Sequence, residues 1–156
     1  MSPHSTWNNM AFKDDVEEVG EIRDCYQTGL KALGSDSAKV RIRAPRDISG
    51  SVFLDQCLET VYPQAPRWDY LFCYRNEVFF MEVHPANTSE VRSIIAKLTW
   101  LKRWLAENGA SINKRKARDH PYRWIGTNGV HITRNSRHHR LLIQAGVQFP
   151  QEVLIL

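Results

Sequence analysis

Two aromatic-rich runs, Trp68 to Tyr74 and Glu77 to His84, flank the pair Arg75-Asn76, and a long amphipathic segment follows them. Aromatic and β-branched residues suit the pleated surface of a strand. Both runs are therefore read as strands joined by a short turn, with Pro85 ending the second. From about 88 to 107, Val91, Ile94, Ile95, Leu98, Leu101 and Leu105 recur on one helical face. Asn108-Gly109 supplies the stop. Asn87, with Glu90 three residues on, resembles a capping box at the start. A strand pair followed at once by such a helix calls for layers of helix on sheet.

The rest of the chain extends that pattern. Val16 to Leu33 predicts a helix through Ile22, Tyr26, Leu30 and Leu33. Lys39 to Arg43 alternates as a short strand, and 44–51 reads as a loop. A second helix is predicted over 51–62, with Phe53, Leu54, Cys57, Leu58 and Val61 as its apolar stripe. Residues 110–121 read as a basic loop. Tyr122 to Thr127 and Val130 to Thr133 surround Asn128-Gly129, the signature of a hairpin. Ser136 is placed to cap a helix to Ala145, and Glu152 to Leu156 reads as a buried strand. The expected fold is α/β, a mixed central β-sheet flanked by helices. At 156 residues the chain fits one domain. That domain is expected over 20–156, with 1–19 as a flexible acidic leader.

The formal net charge of +4 hides a polarity. Residues 1–91 hold 9 basic and 14 acidic side chains, whereas 92–140 hold 12 basic and only 2 acidic ones. A basic half of this kind is the electrostatic footprint of a polyanionic partner. Cys25, Cys57 and Cys73 form no CxxC pair and are odd in number, so they read as reduced thiols and point to a cytoplasmic protein. No apolar run approaches the roughly 20 residues that span a bilayer. Acidic Asp14, Asp15, Glu17 and Glu18 argue against a secretory leader.

A two-residue turn at Arg75-Asn76 would set Tyr74 opposite Glu77, Phe72 opposite Phe79 and Asp69 opposite Glu82. Asp69 and Glu82 would then share an otherwise apolar face with Leu71, Cys73, Val78 and Phe80. Opposed like charges are destabilising, so something must compensate them. A divalent cation does so naturally, because magnesium often takes one or two carboxylates and completes its shell with water and phosphate. His84 lies two residues on along the same face. Lys97 lies on the margin of the helix stripe beside Trp100 and Trp104, where its stem can pack while its ammonium reaches out.

Trp68-Asp69, the hairpin, Glu82-Val83-His84 and the long helix together resemble the PD-(D/E)xK nuclease superfamily, over roughly 51–133. The resemblance implies a restriction-endonuclease-like αβββαβ core. It implies a metal-dependent nuclease hydrolysing phosphodiester bonds, with DNA favoured, using Mg2+ or Mn2+. Asp69 and Glu82 would be the metal-binding acids, and Glu59 the further carboxylate on the preceding helix, with Asp55 as its substitute. The departure is His84, where the family has lysine. Either His84 itself contacts the water or Lys97 supplies the ammonium from the helix. Alternatively, catalysis has been lost and the chain is a nucleic-acid- or protein-binding accessory subunit. Lys114, Arg115, Lys116, Arg118, Arg123, Arg134, Arg137 and Arg140 are the expected basic wall for the nucleic-acid backbone. A homodimer or an accessory protein is the further association the resemblance allows.

Overall fold

The structure is a computed structural model that describes residues 4–156, with side chains described from residue 11 onward. Its centre is a five-stranded mixed sheet in the order β1 (Gln27–Thr28), β3 (Ile48–Phe53), β4 (Tyr70–Tyr74), β5 (Glu77–Val83) and β7 (Tyr122–Ile125). The first four strands are antiparallel neighbours, and β7 joins β5 in parallel. A parallel pair needs a crossover, and α3 (Val91–Asn108) provides it. The short strands β2 (Val40–Arg41) and β9 (Leu154–Ile155) pair with each other, as do β6 (Ala86–Asn87) and β8 (Val130–His131).

All five residues of β4 are buried. A strand covered on both faces reads as a continuous apolar run rather than an alternating one. Leu71, Cys73, Val78 and Phe80 face the larger core, with Phe12 and Val16 of α1 (His4–Glu18) and Ile94, Leu98 and Leu101 of α3. Tyr70, Phe72, Phe79 and Met81 face a second core with Leu33 and Leu154. The outer edge of β7 is covered by the 147–151 segment, where Gln148 and Gln151 donate to Tyr122 and Trp124. Unpaired strand edges invite unwanted pairing, and this cover removes one.

Several expectations are corrected. The segment expected to be a flexible leader holds α1, whose Phe12 and Val16 are completely buried. The Val16–Leu33 helix does not form. After α1 come a 3-10 turn at Gly20–Cys25, then β1, then 3-10 turns over Lys31–Lys39. Gly29 adopts φ +54°, a left-handed conformation that ends any helix passing through it. The 51–62 helix shrinks to α2 (Leu54–Leu58), because Ser51, Val52 and Phe53 pair with Phe72, Leu71 and Tyr70. The expected 44–51 loop supplies the start of that same strand, β3. Gly50 is required there: a Cβ would collide with the Tyr26 ring. The Asn128-Gly129 hairpin does not form: the chain only bends at Thr127-Asn128, and its flanks do not pair with each other, since β7 belongs to the main sheet and β8 to β6. The N-cap of α5 (Arg137–Ala145) is as expected, with Ser136 accepting from the His139 amide.

Cys25 and Cys57 are joined in a disulfide, with Cα atoms 6.2 Å apart, and Cys73 is free and buried. This corrects the reading of three reduced thiols and removes the ground on which a cytoplasmic setting was inferred. The bond closes a sequence separation of 32 residues, which chain-entropy arguments value at about 3–4 kcal/mol. Cys25→Ser is therefore expected to lower the unfolding free energy by that amount. Urea denaturation with and without dithiothreitol checks it: reductant should shift the wild type and leave the variant unmoved. Among the described residues, no helix is long and apolar enough to cross a membrane.

Candidate active site

The turn between β4 and β5 sets the site. Arg75 and Asn76 both have positive φ, 49° and 69°, which is the two-residue geometry that matches strand twist. Asp47 holds this turn, its backbone oxygen accepting from the Arg75 amide and its carboxylate from Arg75 Nε at 3.0 Å. The resulting register pairs Tyr74 with Glu77, Phe72 with Phe79 and Tyr70 with Met81. Asp69, immediately before β4, thereby meets Glu82 near the end of β5, on the face covered by α3.

The two acids interlock through the backbone. The Asp69 amide donates to Glu82 Oε1 at 2.9 Å, and the Val83 amide donates to Asp69 Oδ2 at 3.0 Å. Lys97, from α3, donates to Glu82 Oε2 at 2.5 Å. Glu82 is completely buried. Burial pushes its carboxyl up to about 8; Asp69 adds to the rise and Lys97 opposes it. Burial also raises the Asp69 carboxyl, against the Val83 amide and Lys97. Burial pulls the Lys97 ammonium down, but the surrounding carboxylates Glu82, Asp69 and Asp55 outweigh it, and the net direction is up. One ammonium thus faces two carboxylates that resist ionisation together. The cluster is short of positive charge.

Asp55 is the carboxylate that α2 brings to this point. Its amide donates to the Asp69 carbonyl at 3.2 Å. Arg67 Nε clamps it at 2.9 Å while donating a second bond to its backbone oxygen. Glu59, the first expectation for this role, lies exposed just past the end of α2. The early end of the helix, forced by β3, is the reason. His84 directs Nε2 to Glu90 Oε2 at 2.8 Å, and no hydrogen bond among the described residues joins it to either acid. Glu90 is therefore occupied, and Asn87 makes no side-chain cap, which corrects the capping-box reading. Of the two sources for the ammonium position, Lys97 is the one that bonds an acid of the pair, Glu82.

The expected basic wall is dispersed. Lys114, Arg115, Lys116 and Arg118 line a depression of about 620 Å³ with Arg75 and Glu77, beside the β4–β5 turn. Lys116 bridges Val78, four residues and about 13 Å along β5 from Glu82. Arg115 is spent on Asp15 and Asn76. Arg123 is buried over the Phe79 ring, on the sheet face away from α3. Arg134 lies over Phe149 at 4.1 Å. Arg137 and Arg140 are exposed on α5. The cations that bond carboxylates here are instead Arg67, on Asp55, and Lys97, on Glu82. Nothing in the spacing of Arg67 links it to Asp55; only the β3–β4 pairing brings them together.

Among the described residues, no three acidic, imidazole or thiol side chains converge to hold a metal ion by themselves. Asp69 Oδ1 has no hydrogen-bond donor among those residues. A hard cation that takes one or two carboxylates and keeps its waters matches such a set. Compared with known proteins, the chain matches no family model, no curated protein and no solved structure.

Proposed function

We propose that the chain is a metal-dependent nuclease that hydrolyses phosphodiester bonds of nucleic acid, DNA favoured, on a restriction-endonuclease-like core. The observation that carries this reading is the convergence of Asp69, Glu82 and Lys97 at adjoining strand ends under one helix. The order of the larger elements supports it: with the short β1, β2, α2, β6 and the Ala110–Asn113 turn of helix left aside, α1, the antiparallel strands β3, β4 and β5, then α3 and the parallel β7 follow an αβββαβ sequence. Asp69 and Glu82 would hold Mg2+ or Mn2+, with Asp55 close enough to raise the Asp69 carboxyl. When bound, such an ion supplies charge for the scissile phosphate and acidifies a coordinated water.

The protein's own groups have distinct tasks in this reading. Lys97 keeps its proton at neutral pH, because the surrounding carboxylates raise it. It serves as a fixed cation that orients Glu82 and faces the phosphate rather than as a base. The amides of Asp69 and Val83 lock the two carboxylates relative to each other, so little reorganisation is needed. Arg67 holds Asp55 in place.

Asp69→Asn is expected to lose at least a hundredfold in cleavage of a DNA panel with magnesium. The heat of Mn2+ binding in calorimetry should disappear with it. Undiminished cleavage by Asp69→Asn would remove the assignment. One observation favours a second reading, a non-catalytic accessory subunit: both Glu82 oxygens are already occupied, by the Asp69 amide and by Lys97. Nucleic-acid or protein binding without any carboxylate-dependent metal binding would select that reading.

A further inference from the structure

The flank of α3 that carries Lys97 also carries an aromatic cluster with no role in holding the carboxylates. Trp100 lies three residues after Lys97, about 60° round the helix and one turn along it. It is only partly buried. Trp104 stacks on it at 6.3 Å with planes 12° apart, and Tyr62 meets it edge-on at 5.5 Å. These two neighbours are pinned by one carboxylate: Glu21 accepts from the Tyr62 hydroxyl at 2.8 Å and from Trp104 Nε1 at 2.9 Å. Side chains on a helix lean toward its N-terminus, so the Trp100 indole lies over the turn of α3 that carries Lys97. Beyond Trp100 on the same flank stand Arg103 and Arg92, both exposed and without an ion pair among the described residues. The order outward from the buried stripe is ammonium, fixed aromatic, then Glu107 and the two guanidiniums.

We infer that Trp100, braced by Tyr62 and Trp104, is a stacking platform for an unpaired nucleobase. On that inference single-stranded nucleic acid is the substrate class of the neighbouring site. The inference rests on the nuclease reading for its substrate and adds what that reading lacks, a surface beside the acids that can hold a polymer. The chemistry favours this occupant over a protein segment. An aromatic ring accepts any base face regardless of sequence, and cations beside it take the phosphates. A paired duplex hides its base faces, and so cannot use Trp100. Of the charges on this flank, Arg92 and Arg103 are free to take phosphates, while Lys97 is engaged by Glu82, and Glu107 lies near Tyr62. Pinning the brace residues to Glu21 also sets the ring before any ligand arrives, which lowers the ordering cost of binding.

The test measures binding apart from cleavage. The full-length chain, in EDTA, is titrated into labelled twelve-nucleotide strands and read by fluorescence polarisation. The strands are single-stranded DNA, single-stranded RNA, the same DNA with abasic sites at its centre, and the DNA duplex. The wild type is expected to bind a base-bearing single strand about tenfold more tightly than the abasic strand or the duplex, the scale of one base–aromatic stack. Trp100→Ala should abolish the base-dependent preference, and Trp100→Phe should keep most of it. The DNA and RNA strands show which polymer the platform prefers, and preference for either supports it. Equal wild-type affinity for abasic and intact strands overturns the inference, as does an undiminished preference in folded Trp100→Ala. If the Ala variant fails to fold, the wild-type comparison of intact with abasic strand decides alone. Cleavage is scored separately with magnesium. Base-dependent binding without cleavage keeps the platform and removes the nuclease reading; cleavage without base preference does the reverse.

Discussion

On the nuclease reading proposed above, Glu82→Gln is expected to cripple metal-dependent cleavage, and on any reading it should make the fold less sensitive to alkaline pH. That loss should be on the order of a hundred- to a thousandfold, the scale of removing one preorganised electrostatic group. The stability effect follows from the carboxyl's position. Glu82 is wholly buried and its carboxyl is raised from 4.5 to about 8. A raised carboxyl means that the folded state holds the proton more tightly than the unfolded one. Its contribution is fully present below about pH 4.5 and is lost as pH rises toward about 8. Glutamine cannot ionise, so the variant escapes this loss. Between pH 5 and pH 8 the variant should gain about 2 kcal/mol on the wild type, below the full 1.4 kcal/mol per pH unit of an ideal shift. Urea denaturation at the two pH values checks it. A variant that loses stability on going to pH 8 as steeply as the wild type would show that Glu82 is not the group responsible.

Lys97→Met should have the opposite signature. Removing one partner of a buried pair leaves the other without compensation, at a cost of about 3–5 kcal/mol. Here the stranded group is Glu82, whose Oε2 loses its donor. Without the ammonium its carboxyl rises further, because Lys97 is one of the groups holding it down. At pH 5 the carboxyl simply keeps its proton, and the destabilisation should be small. At pH 9 the wild type has an ion pair, and the variant must either bury a lone carboxylate or hold a proton against the solvent. The destabilisation should then approach about 3 kcal/mol. Lys97→Arg, tested alongside, should restore much of the stability, since the charge remains. Its cleavage rate separates the two tasks of the residue, because a guanidinium does not place its donors where an ammonium does. A pH-independent loss in Lys97→Met would point to lost packing of the stem rather than to the ion pair.

The parts of the fold legible in the sequence are those whose pattern and partners lie close together. The β4–β5 hairpin and α3 are read correctly because each carries its own period, and the hairpin turn sets its register locally. That locality is also why Asp69 and Glu82 can be placed opposite each other from sequence. β3 was not legible. Ile48-Ser49-Gly50-Ser51 has the composition of a loop, and it becomes a strand through distant groups: the Tyr26 hydroxyl on the Ser49 carbonyl, the Ala32 amide on Ser51, and β4 alongside. The misplaced helix at 51–62 follows from that one omission, and so does the exchange of Glu59 for Asp55 beside the acids. The basic run 114–118 was legible as charge but not as location, because where α4 (Ala110–Asn113) and its successor return along β5 is a matter of chain path.

The sequence by itself determined the pairing of two carboxylates on one sheet face, because strand alternation and a two-residue turn are short-range constraints. Which residue answers those carboxylates was decided only by the tertiary structure. His84 and Lys97 were equal candidates along the chain, two and fifteen residues from Glu82. The crossover from β5 to β7 laid α3 over the sheet and brought Lys97 down onto Glu82, while Glu90, at the entrance to that helix, drew His84 aside. A buried carboxylate takes the cation that packing delivers to it, and packing is a property of the whole chain.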